Sequence, residues 1–264
     1  MDAGPDGEET MALVDTHCHL GMIEAPADEV VQRAADAGVG RVIDVGIDVA
    51  SSAQAVDRAD GERVWAAVGI HPHSATDADD DALAAVAELA GRDHVVAIGE
   101  TGLDHYRLLS PPDAQERAFR AQLELARQLD LALVIHDRDA HDEVLAVLDD
   151  QGAPPRTVMH CFSGDADFVR ACCARGLHVS FSGTVTFANA PSVREAAAAA
   201  DPALTVVETD APFLAPHPRR GEPNEPALLE LTLAVVAEQQ GEDVDRAAAR
   251  TSANAAALFG LPDG

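Results

Sequence analysis

The 264-residue sequence predicts an α/β fold, a (β/α)8 or TIM barrel in a single domain. Three observations predict it: eight alternations of a Val/Ile-rich run with a helical pattern, a hydrophobic content of 47%, and no internal linker. The competing fold is an open doubly wound sheet, which usually carries a glycine-rich phosphate turn after its first strand. Histidines follow the first predicted strand here, so the barrel is preferred.

The predicted strands are short apolar runs that end in polar residues or glycine. They cover residues 12–17, 41–47, 64–70, 95–99, 131–136, 157–160, 178–182 and 204–209. The predicted helices follow the strands, and Pro112 and Pro191 suit a first helical turn, as Ser51 and Asp165 suit a helix start. They cover residues 26–37, 49–59, 79–90, 112–129, 140–148, 165–175, 191–199 and 225–239, and a last helix covers 243–259.

The charge of the chain is extreme. There are 46 acidic residues against 18 basic ones, the net charge is −28, and every basic residue is an arginine. Such a surface repels itself in dilute salt, whereas at molar salt the Debye length is about 3 Å and the repulsion is screened. We therefore expect a halophilic protein, without a broad basic surface for nucleic acid.

The cysteines and the acidic N-terminal residues lead us to expect a cytoplasmic protein. The four cysteines form no C-x-x-C pair, which favours reduced thiols over a structural zinc site. Residues 1–10 are expected to form a disordered acidic tail rather than a signal peptide, and residues 11–262 the barrel. No apolar run approaches the about 20 residues that span a bilayer. We expect neither membrane attachment nor an obligate protein partner.

The first strand leads into the sequence VDTHCHL at residues 14–20. Residues two apart in a strand point to the same face, so His17 and His19 are expected to aim their imidazoles at one point. Neutral imidazole is the commonest metal ligand, and two of them form half of a site. An H-x-H pair alone leaves metal binding open, and the other ligands have to come from elsewhere.

Four further strand ends carry side chains that ligate metals. These are Glu100, His136, His160 and Asp210. Chemistry in a (β/α)8 barrel takes place at the carboxyl ends of the strands, so the six side chains are expected to converge. Nitrogen and carboxylate ligands in this number suit two divalent ions, such as Mg²⁺, Mn²⁺ or Zn²⁺.

Two neighbouring ions need a bridging carboxylate, and Glu100 is the natural one. A carboxylated lysine is excluded because the chain has no lysine. We assign His17, His19, Glu100 and Asp210 to one ion, and Glu100, His136 and His160 to the other. Asp210 is also placed to orient the attacking water or to accept its proton.

Together these motifs resemble the TatD family of metal-dependent deoxyribonucleases. The matching runs are DTHCHL at 15–20, IGETGLD at 98–104, IHDRDA at 135–140, HCFSG at 160–164 and ETDAP at 208–212. The resemblance extends over about residues 12–260. It implies a TIM-barrel metallohydrolase that cleaves DNA phosphodiesters from 3′ to 5′, favours single strands or 3′ ends, and uses the six ligands named above.

Four other residues are candidates around the predicted metals. The resemblance implies that His71 binds a phosphate or transfers a proton. The alternative is that His71 only forms a structural hydrogen bond. Arg138 is expected to bind a phosphate oxygen. The alternative is an ion pair with a neighbouring aspartate at the start of the following helix. Glu208 is expected to orient a ligand or a water molecule. Glu222 replaces a lysine that is usual in the family, which leaves phosphate affinity open.

Two other functions compete with the deoxyribonuclease. The same two ions would also serve a carbonyl hydrolase, either a small-molecule amidohydrolase or a D-aminoacyl-tRNA deacylase, which the resemblance allows. A metal-binding or scaffold protein without activity is expected to lack one or more ligands, and all six are present.

Overall fold

The computed structural model describes residues 12–262, and the predicted tail at residues 1–10 lies outside this range. Its centre is one parallel eight-stranded sheet in which every strand pairs with the next along the chain. The strands are β1 (Leu13–Cys18), β2 (Val39–Val45), β3 (Val64–Val68), β4 (Val95–Asp104), β5 (Ala132–Arg138), β6 (Thr157–Met159), β7 (His178–Phe181) and β8 (Thr205–Val207). Parallel neighbours in sequence order are the signature of a (β/α)8 barrel, so the predicted fold is confirmed.

Backbone hydrogen bonds close the barrel between its first and last strands. The segment after β8 forms a parallel bridge to β1 that pairs Cys18 with Ala211. The N–H of Asp210 donates to the carbonyl of His17 at 2.9 Å, and the N–H of His19 donates to the carbonyl of Ala211 at 2.8 Å. The carboxyl ends of all eight strands therefore surround one mouth.

Nine helices connect the strands and complete the described chain, and they follow the predicted pattern. They are α1 (Ala27–Asp36), α2 (Val49–Arg58), α3 (Asp80–Ala90), α4 (Pro112–Leu129), α5 (His141–Gln151), α6 (Ala166–Ala174), α7 (Pro191–Ala199), α8 (Leu229–Gln240) and α9 (Val244–Phe259). Asp48 and Ser51 form a capping box at the start of α2, and Asp165 caps α6 by accepting two backbone N–H groups. No described helix combines the length and the apolar character that crossing a bilayer requires.

The structure differs from the predicted boundaries mainly at β4 and α8. β4 continues to Asp104, five residues beyond the predicted end, because its second half pairs with β5 up to Asp104 and Arg138. α8 begins at Leu229 rather than at residue 225, because residues 226–228 form a separate 3-10 turn.

Apolar packing fills the barrel inside and outside. Small side chains such as Val14, Ala67 and Val134 point inward and pack with Phe259 of α9. A larger layer between the sheet and the helices includes Phe119 of α4, which is fully buried. The two layers fix the strands rigidly, and the strand ends then carry the polar side chains of the mouth.

Phe119 provides a test of the outer layer. Replacing Phe119 with Ala is expected to lower the free energy of unfolding by about 3–5 kcal/mol, because it leaves a cavity in close-packed surroundings. Leu129 lies on the same helix and is 40% exposed. Leu129→Ala is therefore expected to change the free energy of unfolding by no more than about 0.5 kcal/mol. Chemical denaturation of both variants would measure this, and equal effects would contradict the packing described here.

Candidate metal centre

The six predicted ligands come together at the mouth of the barrel. They come from the carboxyl ends of β1, β4, β5, β6 and β8, and all except the partly buried His136 are buried. The ring of His17 stacks on that of His160, with centroids 3.9 Å apart, and the Nε2 atoms of His17 and His19 lie 3.3 Å apart. Buried imidazoles whose nitrogens converge in this way form an arrangement suited to a metal site.

Glu100 occupies the centre of this cluster. Its Oε2 lies 3.4 Å from Nε2 of His17 and 3.8 Å from Nε2 of His19. Its Oε1 lies 2.8 Å from Nε2 of His160 and 2.7 Å from Nδ1 of His136. The two carboxylate oxygens thus face two different sets of histidines, which is the disposition that a bridging ligand needs.

Asp210 completes the group on the β1 side. Its Oδ1 lies 3.6 Å from Nε2 of His19, and the ligand atoms of His17, His19 and Asp210 all lie within 4.8 Å of one another. His19 donates from Nδ1 to the backbone carbonyl of Val45 at 2.8 Å, because a carbonyl only accepts. Its Nε2 is therefore the ring nitrogen that faces the cluster.

Asp104 also belongs to the site, although no sequence pattern marks it as a site residue. Its Oδ2 lies 2.8 Å from Nε2 of His73 and 3.2 Å from Nε2 of His136. It therefore holds the outer nitrogen of His136 and turns Nδ1 towards Glu100. Burial opposes its charge, but hydrogen bonds from His136 and from the backbone of Arg107 hold the pKa of Asp104 well below its usual range. Had β4 been predicted to continue, alternation would have placed residues 100 and 104 on one face.

Gly102 allows β4 to continue past Glu100. A Cβ at this position would lie 2.0 Å from the carbonyl oxygen of His136, so only glycine permits the two strands to approach this closely. The glycine therefore has a direct role in placing Glu100 next to His136.

Asp15 is a second site residue that no sequence pattern marks. It is fully buried and accepts hydrogen bonds from the hydroxyl of Thr209 at 2.6 Å and from its backbone N–H at 2.9 Å. Burial raises the pKa of Asp15 to about 7, and the bonds from Thr209 oppose that rise. The carboxyl group joins β1 to the residue between Glu208 and Asp210, so it positions both.

The carboxylates of the cluster carry negative charge. Burial opposes the charge on Glu100, but His160 and His71 outweigh it and keep the pKa of Glu100 well below its usual range. Burial also opposes the charge on Asp210, but its hydrogen bond with His19 and the neighbouring His160 and His17 together lower the pKa of Asp210. Burial opposes a proton on His160, but Glu100 and Glu208 raise the pKa of His160 well above its usual value.

The residues present fit divalent cations. Among residues 12–262, Oε2 of Glu208 and Nδ1 of His17 are buried without a hydrogen-bond partner. The ligand atoms of His17, His160 and Glu208 also lie within 4.8 Å of one another. A cation would displace the protons that the histidines share with Glu100, as metal binding generally does. The donor set of imidazoles and carboxylates suits Mn²⁺ or Zn²⁺, and Mg²⁺ if water completes its shell.

Glu208 and His71 lie within reach of this cluster. Glu208 accepts from the backbone N–H of Cys161 at 2.8 Å and lies 3.1 Å from Nδ1 of His160. His71 places Nε2 3.3 Å from Oε1 of Glu100, and its Nδ1 accepts the backbone N–H of His73 at 3.0 Å. Nδ1 is therefore unprotonated, and Nε2 carries the proton towards the centre.

Arg138 and Glu222 lie outside the cluster. Arg138 is exposed, and its guanidinium carbon lies 4.0 Å from the ring centroid of Tyr106. It makes no ion pair with Asp137 or Asp139 within the described residues, and Asp137 bonds to His141 instead. Glu222 is exposed and pairs with Arg219 at 2.6 Å.

Comparisons with known proteins find matches over nearly the whole chain. The family model for TatD-related DNases matches residues 14–260. A Bacillus subtilis protein described as the uncharacterized metal-dependent hydrolase YabD is 38% identical, over 94% of this chain and 98% of that protein. A Shigella flexneri protein described as the 3′-5′ ssDNA/RNA exonuclease TatD is also 38% identical, over 89% and 93%. The crystal structure of YjjV, a TatD homologue from Escherichia coli, superposes with a TM-score of 0.90 at 31% identity, over 96% of this chain and 100% of that one.

The Asp104 contact gives a test of the site that does not require activity. Asp104→Asn is expected to weaken binding of Mn²⁺ or Zn²⁺ by about 10–100-fold, because His136 loses its orienting carboxylate. Asp113→Asn is the matched control, since Asp113 is an exposed acid at the start of α4 that pairs with Arg117. Isothermal titration calorimetry measures both affinities. Equal affinities in the two variants would show that Asp104 does not position a ligand.

Proposed function

The chain belongs to the family of TatD-related DNases, which are metal-dependent hydrolases, and we propose that it removes nucleotides from the 3′ ends of single-stranded nucleic acid, DNA above all. Two divalent ions are proposed to bind between His17, His19, Glu100 and Asp210 on one side and Glu100, His136 and His160 on the other. The observation that carries the proposal is Glu100, whose two oxygens face two separate sets of histidines. The 3′-5′ direction and the preference for single strands rest on the name of the Shigella flexneri relative.

The substrate phosphate is proposed to lie over Glu100 and to be attacked in line by water. Bound divalent ions supply charge that polarises a phosphate and lowers the pKa of water. Asp210 is ionised and lies at the mouth beside His19, so it is placed to orient the attacking water and to take its proton.

His71 and Arg138 are proposed to act on the phosphate from the chain itself. Burial lowers the pKa of His71, so the imidazole is neutral, and its protonated Nε2 is a donor for a phosphate oxygen or for the leaving oxygen. Arg138 lies two residues beyond His136 and is exposed, and its guanidinium is proposed to hold a phosphate oxygen. Glu208 holds His160 in place.

The surroundings are proposed to be a salt-rich cytoplasm. All four cysteines are free thiols, which suits a reducing compartment. The net charge of −28 without any lysine suits a solvent that screens repulsion between carboxylates.

A melting experiment tests the salt proposal. Raising KCl from dilute to molar concentration is expected to raise Tm by about 5 °C or more, equivalent to about 2 kcal/mol for a chain of this size, because screening removes repulsion in the folded state. Sucrose of equal osmolality is the control, since it does not screen charge. A Tm that does not depend on KCl would contradict the proposal.

Release of mononucleotides from 3′-labelled single-stranded DNA in molar KCl tests the activity. Release is expected with at least one of Mg²⁺, Mn²⁺ and Zn²⁺ and is expected to stop when EDTA is added. Asp210→Asn is expected to lower kcat by at least about 100-fold, because the variant lacks the proton acceptor. Its fold is checked by circular dichroism. Asp113→Asn serves as the active control. A folded wild type that releases nothing with any metal would contradict the nuclease and favour a carbonyl substrate.

A further inference from the structure

Exposed apolar side chains concentrate at the mouth of the barrel. Within residues 12–262, seven large hydrophobic side chains are exposed. Five of them follow the carboxyl ends of strands β1, β4 and β8, namely Met22, Tyr106, Leu108, Leu109 and Phe213. Aromatic residues make up only 3% of the chain, so the exposure of Tyr106 and Phe213 at the metal cluster is unlike the rest of this surface.

One aromatic patch lies beyond β4 and β5. Tyr106 is 62% exposed, and the guanidinium of Arg138 lies over its ring at 4.0 Å from the centroid. The pairing of Asp104 with Arg138 in the sheet brings the two side chains together just outside the cluster. Within the described residues Arg138 forms no ion pair with a carboxylate, although the chain has 46 acidic residues. The patch therefore offers a ring face with a free positive charge.

A second aromatic patch lies beyond β8. Phe213 is 52% exposed, and its ring centroid lies 6.1 Å from that of His19, which belongs to the cluster. The residue that follows Phe213, Leu214, shares a cavity with a second pair, in which the guanidinium of Arg220 lies 4.0 Å from the ring centroid of Phe187. Phe187, Arg220 and Leu214 line a cavity of about 330 Å³. Arg220 likewise forms no ion pair with a carboxylate in the part of the chain described here.

The two patches lie on opposite sides of the metal cluster. The strand order is β1 to β8 around the barrel, so the junction of β4 and β5 lies across the mouth from the junction of β8 and β1. A chain that crosses the mouth over Glu100 therefore meets Tyr106 on one side and Phe213 on the other.

We infer that Tyr106 with Arg138, and Phe213 with Phe187 and Arg220, are stacking sites for the two nucleobases that flank the scissile phosphate of a single strand. The inference rests on the proposed nuclease function and specifies how its substrate is bound. A ring face paired with a free arginine matches a nucleotide, which brings a base and a phosphate together. Bases in a duplex are already stacked on their neighbours, so the two sites select single strands.

The experiment compares an oligothymidylate with a matched oligonucleotide whose two 3′-terminal residues are abasic. Both substrates keep the same phosphates, so only base contacts differ. The wild type is expected to show a KM about a hundredfold lower for the oligothymidylate, because each of the two bases contributes about tenfold, in the lower range of what aromatic stacking contributes per base. The kcat values are expected to stay within about threefold of each other, since the metal ligands are unchanged.

Tyr106→Ala and Phe213→Ala are the test variants. Each is expected to raise KM for the oligothymidylate about tenfold while leaving KM for the abasic substrate unchanged. Leu129→Ala and Val244→Ala remove exposed apolar side chains of α4 and α9, away from the mouth, and are expected to change neither value. Fluorescence anisotropy in an Asp210→Asn background measures the same preferences without turnover.

The outcomes separate the stacking sites from the nuclease function. Hydrolysis with equal KM for the two substrates would overturn the stacking sites and leave the nuclease intact. Base-dependent binding without hydrolysis, lost in Tyr106→Ala and Phe213→Ala, would support the stacking sites and overturn the nuclease. An effect in only one of the two variants would overturn the two-sided arrangement, and neither hydrolysis nor base-dependent binding would overturn both proposals.

Discussion

The closure of the barrel between β1 and the segment after β8 is the constraint on which the site depends. His17 and His19 lie on one side of this junction and Asp210 lies on the other. The backbone contributes few bonds there, and buried side chains supply the rest: Thr16 donates to the carbonyl of Val207 at 3.0 Å, and Asp15 binds Thr209 twice. Because a slip by one residue would turn every side chain to the opposite face, these bonds fix the register of the cluster.

The same closure gathers groups that would destabilise an ordinary core. Glu100, Glu208 and Asp210 are buried together, and burying a charge costs free energy unless it is paired. The protons that His136 and His160 share with Glu100 offset part of that cost, and a bound cation would offset more. The apolar layers below the mouth make this possible, because they fix the strands independently of the site. The buried carboxylates thus lower the stability of the mouth, and the same carboxylates favour the binding of cations.

Much of this could be predicted from the sequence, because Val/Ile runs and helical periods are local signals. The strand ends then indicated which side chains converge. Asp104 was missed because a glycine-rich run after Glu100 resembles the end of a strand, whereas Gly102 continues β4 beside the backbone of His136. Asp15 was missed because its partner Thr209 lies 194 positions away, and such a pairing leaves no local signal. The protonated nitrogen of His71 likewise depends on a contact that only the folded chain shows.

The charge of the chain and the proposed substrate are linked by the range of electrostatic forces. A protein with a net charge of −28 repels a polyanion at long range, and no general attraction draws nucleic acid to this surface. At molar salt both this repulsion and any long-range steering fall off within about 3 Å. The proposed contacts are short-ranged and would persist there: stacking of bases on Tyr106 and Phe213, and coordination of the substrate over Glu100. Arg138 and Arg220, which pair with no carboxylate among the described residues, are proposed to act only on phosphates that they touch. Recognition that is confined to the mouth is therefore compatible with an acidic surface, because it does not need a broad basic surface around the site.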